Sequence, residues 1–336
     1  MRLKLVFSYD GSKFQGSQTQ PHENGVEDAL GAALAHVGIF SKIISSSRTD
    51  KGVHANNQVA CVECGEYFKD FARLKALINR HAHPAIHVKF ISRVKDDFHP
   101  RYDATARAYR YVINHGEFSP FLSPYETFLP KFDLNLANEL LMLFVGEHDF
   151  SAFMKLGSDV KSPVRRVEKA FCHERGERTI IVFKANGFLR AQVRLMVASV
   201  LKALELAKNG KFKETDALEF KFERAQKAKP GGKANLNQNS RDDILITNSE
   251  SINLTAAQAV CAVSKFDAKN SNLNEAASID TEKNRIKISN TNSSGCHDAN
   301  FLKAKELLRR AIYEQKPLTR IPAPPNGLYL NRVFYE

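Results

Sequence analysis

Apolar and polar positions alternate from the start of the chain: Leu3, Leu5, Phe7 and Tyr9 fall between Arg2, Lys4, Val6 and Ser8. A period of two puts one set on a single face, so the spacing predicts a half-buried strand. The period then lengthens. Val26, Ala29, Leu30, Ala33, Leu34 and Val37 recur at helical spacing, and Gly38 is placed to end that helix. Strands are predicted next over 42–46 and 57–63. Phe71, Leu74 and Ile78 mark a second helix, and Ile86, Val88 and Phe90 a fourth strand.

The second half follows the same order without repeating the sequence. Tyr109, Tyr111 and Ile113 alternate on a strand, and Leu134, Ala137, Leu141 and Phe144 fit a helix. Strands are predicted over 164–172 and 179–184. A long helix follows from Leu189, Val193, Met196, Val197, Val200 and Leu204, and 328–335 supplies a closing strand. Each half reads β-α-β-β-α-β, the split arrangement of ferredoxin-like folds, whose two helices pack on one face of an antiparallel sheet. The predicted class is α+β: two ferredoxin-like halves, residues 1–100 and 101–336, whose antiparallel sheets flank a central basic cleft suited to a nucleic acid. From about 228 to 300 the chain turns rich in Asn, Ser, Lys and Ala, opening on Pro230-Gly231-Gly232. Its apolar content is thin and aperiodic, the mark of a flexible insertion. Phe301, Ala304, Leu308 and Ala311 then resume helical spacing.

Length and charge narrow the picture. A chain of 336 residues suits two domains, and 49 Lys plus Arg against 37 Asp plus Glu leave a formal charge of +12. That surplus favours a polyanionic partner, nucleic acid before an acidic membrane face. No apolar run reaches the ~18 residues of a membrane span, and no amphipathic basic helix suggests membrane-surface binding. The alternating N-terminus reads as a strand and not as a signal peptide. Five scattered Cys suggest reduced thiols and a cytoplasmic protein. Cys61-Val62-Glu63-Cys64 has no second pair at zinc spacing, and His81, His83 and His87 sit at a turn entering a strand, so no functional metal site is predicted. Nucleotide hydrolysis, dinucleotide use and Rossmann-type methyl transfer lack their glycine-rich cradle.

The stretch with chemistry in it is 45–55, Ser-Ser-Ser-Arg-Thr-Asp-Lys-Gly-Val-His-Ala, between the second and third predicted strands. A hairpin tip needs only turn formers. This loop instead carries Asp50 beside Arg48, then Gly52, where backbone can approach a ligand closely. An Arg within reach keeps a carboxylate nucleophile ionised in a dry pocket. Taken alone, these residues read first as a surface ion pair in a loop.

Arg48-Thr49-Asp50-x-Gly52-Val53-His54-Ala55 resembles the signature of the TruA family of tRNA pseudouridine synthases, with Ser47 and Lys51 at two usually small positions. Six more stretches are similar to the same family. They are Tyr9-Asp10-Gly11-x-x-Phe14-x-Gly16-x-Gln18-x-Gln20, Phe98-His99-x-Arg101-Tyr102-x-Ala104-x-x-Arg107-x-Tyr109-x-Tyr111, Gly146-x-His148-Asp149-Phe150, Pro163-Val164-Arg165-Arg166, Phe188-Leu189-Arg190-x-Gln192-Val193-Arg194 and Pro322-Ala323-Pro324-x-x-Gly327-Leu328-Tyr329-Leu330. Ser17 stands where the family commonly has an aromatic, and Gln192 where it usually has Met.

The resemblance implies a tRNA pseudouridine synthase acting on the 3′ side of the anticodon arm, with Asp50 as nucleophile, no cofactor or metal, and a homodimeric assembly. Tyr109, Arg48 and Arg194 are the candidate substrate-binding residues. Tyr109 suits stacking on an everted uracil or relaying a proton, and Tyr111 reads as core. Arg190 and Arg194, four apart, would share one helix face, from which Arg194 would meet Asp50 or a phosphate. Arg101, Arg107, Arg110, Arg165 and Arg166 read as phosphate contacts, and His54 as a structural hydrogen bonder. The rival reading is a non-catalytic RNA-binding protein or tRNA chaperone on the same fold.

Overall fold

The computed structural model describes residues 1–19, 21, 24–158, 160–210 and 295–336. The N-terminal alternation becomes β1 (Arg2–Tyr9), with Leu3, Leu5 and Phe7 fully buried. Each such side chain contributes roughly 1.5–3 kcal/mol by leaving water. Chain order continues through α1 (Val26–Ala35), β2 (Ile44–Ser45), β3 (His54–Glu63), α2 (Phe71–Ala82) and β4 (Ile86–Val94). Then come β5 (Ala106–Asn114), β6 (Thr127–Phe128), α3 (Leu134–Met142), β7 (Gly146–Asp149), β8 (Val164–Arg175), β9 (Arg178–Ala185), α4 (Gln192–Asn209), α5 (Gly295–Tyr313) and β10 (Leu328–Phe334). Asp70 and Asp133 start α2 and α3 by accepting first-turn backbone N–H bonds. α1 packs on α2 and α2 on β4, whereas α4 packs on both α3 and α5.

The expectation of separate sheets is corrected. Among the described residues the strands form one sheet, ordered β4-β1-β3-β10-β5-β9-β8-β7, with β2 on β3 and β6 on β5. The reason is β10, which does more than close the second half. It pairs antiparallel with β5 and parallel with the start of β3, through Tyr329 opposite His54 and Leu330 opposite Ala55. β2 takes only the far end of the same edge, opposite Cys61 and Ala60.

Two local differences have equally plain causes. Phe90 is 68 % exposed although Val88 is buried, because β4 carries a bulge: Phe7 faces Val88 while Val6 faces Phe90. The extra residue flips the alternation. The predicted insertion lies outside the described residues except at its end, where α5 starts at Gly295, ahead of Phe301. No described helix is long and apolar enough to cross a membrane.

One glycine locks the site's floor. A Cβ on Gly11, just after β1, would overlap the Val53 carbonyl at the end of the Asp50 loop. Both partners are backbone, so neither can rotate away. Gly11→Ala is expected to destabilise the fold by about 1–3 kcal/mol, read as a lower urea midpoint at unchanged m-value.

Candidate active site

The loop between β2 and β3 is held at nearly every residue. Gln58 on β3, itself buried, accepts the Ser46 hydroxyl at 2.8 Å and donates to the Ser47 carbonyl at 2.8 Å. Tyr9 on β1 shares a 2.7 Å hydrogen bond with the Thr49 hydroxyl. The Thr49 N–H donates to the Ser17 hydroxyl at 2.8 Å, and the Ser17 N–H donates to the Thr49 carbonyl at 3.1 Å. The Val53 N–H then closes a turn on the Asp50 carbonyl at 3.1 Å. Gly52 has φ +78° in that turn, with Pro325 packed against it, so a side chain there would be both strained and crowded.

Asp50 emerges from this frame with its side chain 31 % exposed and meets Arg194 Nη1 at 3.2 Å through Oδ2. Arg194, on the first turn of α4, is 15 % exposed and clamped by one residue. Its Nε donates to the Ala323 carbonyl at 2.6 Å, and its own carbonyl accepts the Ala323 N–H at 3.1 Å. Arg190 does not share this face. α4 begins only at Gln192, after Ala191 in the left-handed region at φ 61°, and Arg190 lies exposed in the turn before it. The buried Gln192 accounts for the late start, since its Oε1 accepts the Leu189 N–H at 2.7 Å.

Tyr109 lies beside the pair. It is 7 % exposed on β5, edge-to-face with Phe188 at 5.2 Å. Burial pushes its phenol up to about 12, opposed by a Ser47 hydrogen bond and Arg107 and reinforced by Asp50. Tyr111, on the same strand face, is core: its hydroxyl bonds Thr127 at 2.8 Å and donates to the Pro324 carbonyl at 3.0 Å. Arg48 is exposed, and its charge falls on Glu27; the guanidinium on Asp50 is that of Arg194.

The expectation that Arg107 contacts phosphate is corrected. All five of its N–H donors go to protein: Ser46 and Arg101 carbonyls at 3.4 and 2.6 Å, Ala104 and Asn186 carbonyls at 3.3 and 2.9 Å, and the Ser47 hydroxyl at 3.3 Å. Arg107 is a clamp that ties the Asp50 loop to two other segments. Arg110 is its neighbour on the other side of Tyr109, and alternation turns it to the face away from Tyr109. Sequence reasoning gave Gln58, Ser17 and Ala323 no role at the site, because residue type does not reveal what a buried amide, a short hydroxyl or a backbone carbonyl will bond.

His54 bonds as expected of a structural residue. Nδ1 accepts the Gly11 N–H at 3.0 Å and Nε2 donates to the Pro124 carbonyl at 3.0 Å, with the ring stacked on Tyr329. This pairing requires the neutral ring. No group of three or more His, Cys, Asp or Glu positioned to hold a metal occurs among the described residues.

The sequence pattern of a family described as tRNA pseudouridine synthase matches residues 5–103 and 140–238. A Campylobacter jejuni protein named tRNA pseudouridine synthase A is 52 % identical over 219 residues, 65 % of this chain and 90 % of that one. Proteins of the same name from Wolinella succinogenes and Helicobacter pylori are 38 % and 37 % identical, each covering 60 % of this chain and respectively 79 % and 83 % of their own.

Burial holds the folded His54 imidazole below its ordinary value of 6.5, outweighing the opposite pull of Asp10. Below about pH 6.5 the unfolded chain therefore takes up a proton that the folded chain refuses. This group's contribution to stability is present above that pH and is lost as the pH falls, with a slope of up to about 1.4 kcal/mol per pH unit. Urea unfolding between pH 5 and 7 is expected to show a shallower loss for His54→Asn than for wild type, on a lower overall stability.

Proposed function

This chain belongs to the tRNA pseudouridine synthase family, and from that premise we propose that it converts uridine to pseudouridine in tRNA, on the 3′ side of the anticodon arm, with Asp50 as nucleophile. The observation that carries the reading is the Asp50 carboxylate itself, fixed on a braced loop 3.2 Å from Arg194 and beside Tyr109. A reacting group held this firmly loses little entropy on the way to the transition state.

The reaction breaks the N1–C1′ bond, turns the uracil and joins C5 to C1′. C5 gives up its hydrogen as a proton, N1 regains one, and nothing is oxidised or reduced. Asp50 can attack either the ribose C1′ or the uracil C6, and both routes end in the same balance. Arg194 orients the carboxylate. Tyr109 remains protonated near neutral pH, so its hydroxyl is available to hand a proton to the ring or hold one there. The uridine must leave its stack at a cost of a few kcal/mol, offset by contacts within the site.

The wider architecture supports a nucleic-acid substrate. The strand order β4-β1-β3-β2 and the order β10-β5-β9-β8 each fit a ferredoxin-like half, residues 1–100 and 101–336, meeting near Asp50. Exposed Arg48, Lys51, Arg101, Arg166 and Arg190 would line a basic cleft and contact phosphates without reading sequence. In this reading the enzyme is cytoplasmic and works as a homodimer.

Tritium release from [5-³H]uridine-labelled tRNA tests the chemistry, because forming the C5–C1′ bond expels that hydrogen. Wild type should release tritium and Asp50→Asn should release none, with tRNA affinity within about threefold, since affinity resides in the phosphate contacts. No release by wild type, with tRNA still bound, would move the reading to a non-catalytic RNA-binding protein. Light scattering at working concentration should give twice the 37.7 kDa chain mass, and the monomer mass would refute the dimer.

A further inference from the structure

Tyr9, Gln58 and Arg107, which brace the Asp50 loop by hydrogen bonds, stand on β1, β3 and β5; a further brace comes from outside the sheet. Ser17 lies in the segment before α1, is 2 % exposed, and is bonded on three sides. Its hydroxyl accepts the Thr49 N–H at 2.8 Å, its N–H donates to the Thr49 carbonyl at 3.1 Å, and its carbonyl accepts the Glu27 N–H of the first turn of α1 at 3.0 Å. The Gly16 carbonyl takes the neighbouring Val26 N–H at 3.1 Å. Two N–H groups that a helix start leaves unpaired are thereby spent on fixing this segment to the helix. Ser17 is thus anchored to a rigid element on one side and grips both peptides of Thr49 on the other.

The geometry points to Ser17 as a positioning residue for the reaction: its hydroxyl holds the Arg48–Thr49 peptide and its backbone N–H the Thr49–Asp50 peptide, so Thr49 and the backbone that carries Asp50 are fixed together. The Thr49 carbonyl and the Asp50 nitrogen share one peptide plane, so holding Thr49 at both ends sets the backbone from which the carboxylate reaches Arg194. Ser17 acts through Thr49: its bonds go to Thr49 and Glu27 and not to the Asp50 carboxylate. The two backbone bonds are open to any residue here, but an aromatic side chain would offer no oxygen at Cβ reach, so the hold on the Thr49 N–H belongs to serine in this chain. The inference rests on Asp50 as nucleophile.

The test is a series at one position, Ser17→Thr, Ser17→Cys and Ser17→Ala, assayed by tritium release with full-length protein. tRNA affinity and thermal midpoint are measured in parallel. Displacing a reacting group slightly costs one to two orders of magnitude, so Ser17→Ala is expected to lower kcat about tenfold with KM for tRNA unchanged. Ser17→Thr, which keeps an acceptor at the same reach, should restore most of that loss, and Ser17→Cys, a weaker acceptor, should fall between. Unchanged kcat in Ser17→Ala would overturn the proposal. So would a loss that merely tracks the folded fraction in the melt, or one that ignores acceptor strength across the series. Asp50→Asn runs alongside: turnover in that variant would sink the nucleophile reading itself, whatever Ser17 does.

Discussion

The ion pair between Asp50 and Arg194 spans 144 residues of sequence and joins a loop of the first half to a helix of the second. A pair with one member 31 % exposed adds little to stability, on the order of 1 kcal/mol or less. Yet both partners are held with unusual thoroughness. Arg194 is gripped at its side chain and at its carbonyl by Ala323, and the residues flanking Asp50 are gripped by Gln58, Tyr9, Ser17 and Arg107. Hydrogen bonds spent around a weak pair fix its geometry more than they stabilise the fold.

That frame also explains the buried polar groups. Unpaired, buried Gln58, Ser17 and Ser46 would each cost about 1–3 kcal/mol. Here each has its partners, and every one of these bonds has one end on the Asp50 loop. Satisfying the polar groups and positioning the carboxylate are therefore one requirement, and the loop cannot shift without orphaning a buried donor or acceptor. Arg107 illustrates the same economy: a guanidinium with all five donors committed has none left for RNA.

Periodicity made most of the elements legible, because a two- or three-and-a-half-residue repeat is a local property. The strand of Leu3, Leu5 and Phe7 and the helix of Leu74 and Ile78 lie where their spacing put them. What escaped was set by contacts between distant residues. The bulge that exposes Phe90 depends on pairing with β1, and the late start of α4 on one buried Gln192 side chain. Of the candidate residues, Asp50, Arg194 and Tyr109 lie together. Arg48 stands apart from the carboxylate beside which it lies in sequence, since two residues along a loop do not fix where a side chain points.

The single sheet follows from the end of the chain. β10 inserts between β3 and β5, so the two halves share a continuous ladder. The residues just before it reach across the site: Ala323 holds Arg194, Pro324 accepts from Tyr111, and Pro325 abuts Gly52. Without this strand β5 would lose one of its two main ladders, and Arg194 would lose the Ala323 contacts made by the segment that leads into it. Such contacts are among the most non-local in the fold and carry the largest loop-closure cost. Completion of the site is thereby tied to the end of the fold: without residues 322–336 the bonds from Gln58, Tyr9, Ser17 and Arg107 would still have their partners, but Arg194 would lose its clamp and Gly52 its Pro325 contact.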